Sequence, residues 1–218
     1  MMKQVIILFD LDGTLIDSTK AIYASFCEAM SAFGYPTPSL DSLKATIGHT
    51  LEDMFLAFGI PKAQVGDFVQ AYRISYRAKM EAGTTLLPNA KEAIVFAKSF
   101  ADLGVVTTKR GDFSAKLLDC LGVGEYFRCV IGIESVSKPK PDSEPILKAL
   151  EHFPNASSAH KYMIGDTTLD LESAKGAGIS AVGVLCGYGK QEALGAYNVP
   201  LCADSLMAVR EIHRSLGI

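Results

Sequence analysis

The architecture of this chain is indicated by one segment close to its start, residues 5–14, with the sequence VIILFDLDGT. The run from Val5 to Phe9 is continuously apolar and rich in β-branched residues, which is typical of a strand buried on both faces of a sheet. Asp10 ends the run, and Gly13 allows the chain to turn. The segment therefore predicts a central strand of a parallel sheet, followed at once by carboxylates.

Similar short apolar runs recur along the chain and alternate with stretches that have helical spacing. Strands alternating with helices favour a parallel sheet covered on both faces, with functional sites at the carboxyl ends of the strands. We therefore predict an α/β fold with a doubly wound, Rossmann-like sheet. The further predicted strands are Leu103 to Thr107, Cys129 to Ile133, Tyr162 to Gly165 and Ser180 to Leu185.

An uninterrupted set of helical patterns separates the first strand from the others. Apolar residues fall at helical spacing in three successive stripes, and no run with strand character lies among them. We predict a helical insert at residues 17–82, with the catalytic core formed by residues 1–16 and 83–218. The stripes are Ile22, Phe26, Met30 and Phe33; Leu51, Met54, Phe55 and Phe58; and Val65, Phe68, Val69, Tyr72 and Tyr76.

Composition excludes several classes of protein. The 218 residues include 21 Lys and Arg against 24 Asp and Glu, a net charge of −3, so the chain has no basic surplus for binding a nucleic acid. The five cysteines form no Cys-x-x-Cys pair, which argues against a disulfide framework or a cysteine-ligated zinc. No stretch approaches the ~18 apolar residues of a membrane span. We expect a cytoplasmic protein that contacts neither nucleic acid nor membrane, as a monomer or homodimer.

Carboxylates follow two of the predicted strands. Asp10 and Asp12 come directly after the first strand, and Asp166 and Asp170 lie in GDTTLD at residues 165–170. Taken singly, each could be no more than a turn or helix N-cap residue. If the two strands are neighbours, Asp10, Asp166 and Asp170 converge, and like charges 4 Å apart repel by ~4 kcal/mol at an effective dielectric constant of 20. Such a cluster requires a hard cation or raised pKa values, and its oxygen ligands suit Mg²⁺.

A hydroxyl and an ammonium group are predicted at the same edge of the sheet. The segment VVTTK at residues 105–109 places Thr107 at the end of one strand, and SKPKP at residues 137–141 places Lys138 after the next. A phosphoryl dianion needs such groups beside the carboxylates. Taken singly, Thr107 is an ordinary strand residue and Lys138 a loop residue in solvent.

In chain order, these segments resemble the motifs of the haloacid dehalogenase superfamily of phosphotransferases. The matching features are Asp-x-Asp-Gly-Thr, the strand threonine, Lys-Pro-x-Pro and Gly-Asp-x-x-x-Asp, which span nearly the whole chain. The helical insert resembles the cap of the phosphoglycolate phosphatase and β-phosphoglucomutase branch.

The resemblance implies a role for each carboxylate. Asp10 would be the nucleophile that forms an aspartyl phosphate. Asp12 would protonate the leaving oxygen and then activate water, while its backbone carbonyl ligates Mg²⁺. Asp10 and Asp166 would also ligate the metal, with Asp170 supporting it directly or through water.

The resemblance also implies the residues that contact substrate. Thr107 and Lys138 would hold the transferring phosphoryl oxygens. Thr108 stands where close relatives often have Asn, which leaves its contact with the leaving group open. His49 lies in a glycine-containing break between insert helices, and it either leans over the crevice to contact substrate or is an exposed turn residue.

The predicted function is Mg²⁺-dependent hydrolysis of a small phosphomonoester, with 2-phosphoglycolate as the best single guess. Asp12 favours a phosphatase over a dehalogenase, because a halide leaves without a proton. One alternative is a phosphosugar mutase, whose relatives carry an Arg that is absent from GHTLED at residues 48–53. Another is a phospho-acceptor or phosphometabolite-binding regulator, which would not need Asp12 as a base. Arg73 and Arg77, one helical turn apart, are interpreted as part of a solvated face rather than as an anion clamp.

Overall fold

The computed structural model describes residues 4–218 and contains a six-stranded parallel sheet with a separate two-stranded antiparallel ladder. The strands are β1 (Val5–Phe9), β2 (Ile16–Asp17), β3 (Thr85–Leu86), β4 (Asp102–Val106), β5 (Phe127–Ile131), β6 (His160–Gly165), β7 (Ser180–Val184) and β8 (Leu201–Cys202). The large sheet has the order β5-β4-β1-β6-β7-β8, and β2 pairs with β3. The predicted α/β class is confirmed.

The first strand lies at the centre of the sheet, between β4 and β6. All five residues of β1 are buried, and Phe9 is in register with Val105 on one side and with Ile164 on the other. The segments that follow these three strands therefore leave the sheet at the same edge. The strand predicted at 129–133 begins and ends two residues earlier, because Gly132 starts the turn into a 3₁₀ helix, Ile133–Ser135.

Helices cover both faces of the sheet, as a doubly wound fold requires. The helices are α1 (Thr19–Ala32), α2 (Leu40–Lys44), α3 (Leu51–Ala57), α4 (Val65–Lys79), α5 (Ala90–Phe100), α6 (Gly111–Cys120), α7 (Glu144–Leu150), α8 (Thr168–Gly176), α9 (Gln191–Gly195) and α10 (Ser205–Leu216). Ile7 and Phe9 belong to the same apolar cluster as residues of α5, α6 and α10, whereas Ile6 and Leu8 cluster with residues of α7 and α8. Within residues 4–218, no helix combines the length and the apolar character needed to cross a membrane.

Four helices, α1 to α4, form a helical insert between β2 and β3, and their aromatic side chains pack together as part of the apolar cluster that also contains Ile7 and Phe9. The rings of Phe26 and Phe55 stack with centroids 4.2 Å apart, and Phe68 lies 5.4 Å from Phe55. The insert leaves and re-enters the sheet domain through the antiparallel ladder, in which Ile16 pairs with Leu86. The sequence did not predict the ladder or the short α2, because segments of two to five residues are too short to show a periodic pattern.

Candidate active site

The carboxyl ends of β1 and β6 bring three aspartates together. Asp10, Asp166 and Asp170 are buried, and each has a carboxylate oxygen within 4.8 Å of the others. The Asp10 amide donates to the carbonyl of Ile164 at 2.9 Å, which extends the pairing of the two strands into the site. The predicted convergence of these carboxylates is therefore what the geometry shows.

One buried lysine lies among the three carboxylates, and it is Lys140. Its Nζ lies 2.8 Å from Oδ1 of Asp10 and 2.6 Å from Oδ1 of Asp170, and it donates to the carbonyl of Val106 at 3.1 Å. The prediction placed Lys138 here, and the structure corrects it. Lys138 is exposed, because its backbone amide and that of Ser137 donate to the Glu144 carboxylate and hold this part of the loop at the surface.

The electrostatics of this cluster favour a divalent cation. Burial, with the nearby charge of Asp170, raises the pKa of Asp10 to about 7 despite the attraction of Lys140. Burial and the charges of Asp10 and Asp170 raise the pKa of Asp166 well above its usual value. Burial alone would lower the pKa of Lys140, but the two adjoining carboxylates outweigh it and raise that pKa. One ammonium against three carboxylates leaves a deficit of positive charge.

The donor atoms also fit a metal such as Mg²⁺. Oδ1 of Asp10 is buried and, among the described residues, accepts no hydrogen bond of acceptable geometry, although Lys140 Nζ is close enough for an ion pair. A buried, unsatisfied carboxylate oxygen beside two further carboxylates is a suitable hard ligand. Both oxygens of Asp170 have partners in Lys140 and Thr167, and both oxygens of Asp166 accept hydrogen bonds, so the unsatisfied Oδ1 of Asp10 is the clearest candidate ligand of the three carboxylates.

Asp166 is held by two loops that close around it. Its Oδ1 accepts from the Thr14 hydroxyl at 3.0 Å, and its Oδ2 accepts from the Tyr188 amide at 2.8 Å. Gly13 has a φ of +83°, and a Cβ there would lie 2.4 Å from Oδ2 of Asp166. The glycine after Asp12 is thus required both for its left-handed backbone and for the close approach of the carboxylate.

Asp12 points toward the helical insert, away from the three-carboxylate cluster. Its Oδ1 accepts a short hydrogen bond from the Ser18 hydroxyl, and its Oδ2 lies 3.1 Å from Nζ of Lys109. Lys109 also donates to the Tyr76 hydroxyl of α4 at 2.8 Å. The carboxylates of Asp10 and Asp12, two residues apart, therefore lie in two adjacent environments. That of Asp10 is suited to a cation, and that of Asp12 faces the insert.

The two threonines after β4 have different partners. Thr107 is buried at the end of the strand, and its hydroxyl accepts from the Lys109 amide at 3.2 Å. The Thr108 hydroxyl donates to the carbonyl of Gly48 at 2.9 Å, in the loop between α2 and α3. Thr108 therefore joins the sheet edge to the insert.

Two cavities lie between the insert and the edge of the sheet. The smaller, of about 70 Å³, is lined by Asp12 and Lys109 together with residues of α3 and α4. The larger, of about 580 Å³, is lined by Gly13, Tyr188 and residues of α2. His49 is exposed and lines both. Of these two cavities, the smaller is the one that has Asp12 in its wall.

Sequence reasoning missed several residues of this site. Lys140 shares the Lys-Pro pattern with Lys138, and that pattern alone does not distinguish the buried lysine from the exposed one. Lys109 follows the strand threonines directly, so the sequence could have predicted that it lies at the edge of the sheet. The contacts of Ser18 and Tyr76 depend on how the insert folds back, which periodicity does not specify.

Comparison with known proteins agrees with the geometry. The family model for haloacid dehalogenase-like hydrolases matches residues 7–184. The Dickeya dadantii (strain 3937) protein named "Probable phosphatase IndB" is 33% identical over 210 residues, which cover 94% of this chain and 91% of that protein. A phosphoglycolate phosphatase of Pseudomonas putida is 28% identical over 217 residues, covering 94% and 78% of the two chains. A solved haloacid dehalogenase-like hydrolase from Streptococcus pneumoniae has a TM-score of 0.84 at 28% identity and covers 95% of this chain and 98% of its own.

The doubly wound sheet and its buried aspartate cluster, together with the family match and relatives named as phosphatases, identify this protein as an enzyme of the hydrolase class. More specifically, the chain belongs to the haloacid dehalogenase-like hydrolases, since the family model covers most of its length. The resemblance seen in the sequence is confirmed.

Proposed function

We propose that this enzyme is a Mg²⁺-dependent phosphatase that hydrolyses a small phosphomonoester through an aspartyl phosphate on Asp10. The observation that carries the proposal is the separation of two neighbouring carboxylates. Asp10 lies in a buried cluster with Lys140, Asp166 and Asp170, while Asp12 faces a cavity beneath the insert. One carboxylate is thus placed to be a nucleophile and the other to transfer protons to and from the leaving group and water.

The proposed roles follow from these positions. Asp10 attacks phosphorus, and Asp12 protonates the leaving oxygen and then takes a proton from the attacking water. Lys140 holds Asp10 in place and offsets the charge of the phosphoryl group, with Thr107 as a further contact to its oxygens. Asp10, Asp166 and the backbone carbonyl of Asp12 would hold Mg²⁺, with Asp170 supporting it directly or through water, and the ion would neutralise negative charge on the phosphoryl group.

We propose that residues 17–82 form a cap over a core of residues 1–16 and 83–218. The antiparallel ladder supports this division, because it is the point where the chain crosses between the two parts. The hydrogen bond from Thr108 to Gly48 and the position of His49 between the cavities support a role for the loop between α2 and α3 in substrate contact. A closed cap excludes water and selects the leaving group.

The best-supported substrate is 2-phosphoglycolate. Relatives named phosphoglycolate phosphatase and the small volume beside Asp12, about 70 Å³, both favour a compact leaving group. A phosphosugar mutase is disfavoured by the absence of Arg from residues 48–53. A non-enzymatic phospho-acceptor is disfavoured by the presence of Asp12 beside the cavity. The cytoplasmic location remains a prediction from the cysteine pattern, and both a monomer and a homodimer are compatible with the proposal.

The test is sustained release of phosphate from 2-phosphoglycolate and p-nitrophenyl phosphate. The wild-type enzyme should complete many turnovers in Mg²⁺ and lose activity in EDTA, and Asp10→Asn should be inactive on both esters. Asp102→Asn, at the opposite end of the sheet, is the matched control and should retain activity. Full activity of the Asp10 variant, or of verified metal-free enzyme, would refute the proposal.

A further inference from the structure

The cavity beside Asp12 is lined by an arginine whose guanidinium N–H groups are available to bind a ligand. Arg73, on α4, lines this cavity together with Lys109 and Arg110. Lys109 is engaged by Asp12 at 3.1 Å, and Arg110 makes two hydrogen bonds to Asp112 at 2.9 and 3.0 Å. The guanidinium of Arg73 lies 3.6 Å from the Glu52 carboxylate, which is longer than a hydrogen bond.

The two arginines of α4 have different surroundings. The sequence spacing suggested that Arg73 and Arg77 form a solvated face, but the structure separates them. Arg73 reaches the cavity, whereas the guanidinium of Arg77 lies over the ring of Phe113, 5.5 Å from its centroid. Only a third of the Arg73 side chain is exposed, with a relative accessibility of 32%.

The size of the cavity limits the leaving groups that Arg73 can bind. A volume of about 70 Å³ has room for about five water molecules, at 10–15 Å³ for each. A leaving group of two or three carbons with one terminal charged group fits this space. A guanidinium with unused N–H groups at the wall is suited to a planar carboxylate.

We infer that Arg73 is the residue that determines specificity for the charge of the leaving group, by binding a carboxylate carried two or three atoms from the phosphoryl oxygen. This inference rests on the proposed phosphatase function and extends it to a substrate class, the small phosphorylated carboxylic acids. Glu52 also lines this cavity, and its carboxylate, 3.6 Å from the guanidinium, is the group that a bound carboxylate would replace as the partner of Arg73. Arg73 takes no part in the proton transfers of Asp12.

The experiment compares esters of similar size that differ in charge. The substrates are 2-phosphoglycolate, with a carboxylate; 2-hydroxyethyl phosphate, which is neutral there; and O-phosphoethanolamine, with an ammonium group. The variants are Arg73→Gln and, as a control on the same helix, Arg77→Gln. For each protein the ratio of kcat/KM for 2-phosphoglycolate to kcat/KM for 2-hydroxyethyl phosphate is measured, with p-nitrophenyl phosphate as a reference for folding and basal activity.

The wild-type enzyme should prefer the carboxylate ester by about 10- to 100-fold, the range that one charge-assisted contact supplies. Arg73→Gln should lose most of that preference, mainly through KM; Arg77→Gln should keep both the preference and its rate on p-nitrophenyl phosphate. An unchanged ratio in Arg73→Gln, an equal loss in Arg77→Gln, or a wild-type preference for O-phosphoethanolamine would overturn the inference alone. Failure of the wild-type enzyme to hydrolyse any of the four esters would overturn the proposed function as well.

Discussion

Replacing Lys140 with Met tests whether this lysine holds the carboxylate cluster together. The side chain is only 2% exposed, and its ammonium lies 2.8 Å from Asp10 and 2.6 Å from Asp170. At an effective dielectric constant of 20, the attraction to Asp10 over 2.8 Å is ~6 kcal/mol before the desolvation penalty is subtracted. Removing one partner of a buried ion pair typically costs ~3–5 kcal/mol, because the remaining charges are left uncompensated.

We therefore expect Lys140→Met to lower the free energy of unfolding of the metal-free protein by about 3–5 kcal/mol, measured by urea denaturation. Saturating Mg²⁺ should recover part of this loss, because it neutralises the same carboxylates. The kcat should fall by about 10²–10³-fold, the usual effect of removing one preorganised charge contact. If Lys140→Met is too unstable to purify, adding Asp170→Asn removes one unpaired carboxylate and should restore a soluble, folded protein.

Lys138→Met is the matched control, two residues away in the same loop. Its side chain is exposed, so the substitution should change the free energy of unfolding by no more than ~0.5 kcal/mol and leave kcat unchanged. The reasoning is refuted if Lys138→Met loses activity while Lys140→Met retains it, or if the two variants are equally stable.

Three further results are expected. Burial raises the pKa of Asp10 to about 7, so between about pH 4 and 7 the folded metal-free protein holds a proton that the unfolded chain has lost, and its stability should fall as the pH rises through this range. The increase in Tm caused by Mg²⁺, measured by calorimetry, should therefore be larger at pH 8 than at pH 5. An equal increase at both pH values would contradict this. Thr108→Val removes the hydrogen bond to Gly48 and should raise KM for 2-phosphoglycolate several-fold with Tm nearly unchanged, whereas Thr108→Ser should behave like the wild type. His49→Ala should change relative kcat/KM among natural esters more than it changes the rate on p-nitrophenyl phosphate; uniform effects would show that His49 is structural.

The sheet and the carboxylate cluster could be predicted because each depends on a strong local signal. The apolar run of β1 is long enough to identify a buried strand, and parallel strands deliver the residues after them to one edge. The convergence of Asp10 with Asp166 and Asp170 needed only that β1 and β6 be neighbours, which they are. The three apolar stripes of the insert were equally clear, although Phe33 at the end of α1 is 44% exposed.

The parts that could not be predicted depend on packing between distant segments. Lys138 and Lys140 each precede a proline, so the Lys-Pro pattern fits both, and the path of the loop before α7 decides which of them is buried. The contact between Lys109 and Tyr76 joins the sheet edge to a helix of the insert, and no periodicity in either segment indicates it. The position of Arg73 at the cavity wall likewise depends on the orientation of α4 over the sheet.

The most direct test of the central claim is to trap the covalent intermediate on Asp10. Asp12→Asn lacks the base that activates water, but p-nitrophenolate leaves without needing a proton, so the activated ester should still phosphorylate the enzyme. Rapid-quench mass spectrometry after mixing this variant with p-nitrophenyl phosphate and Mg²⁺ should show one phosphoryl increment that maps to the peptide containing Asp10 and accumulates over time. A phosphoryl group on any other residue, or turnover of the ester at the wild-type rate with no labelled enzyme, would contradict the account.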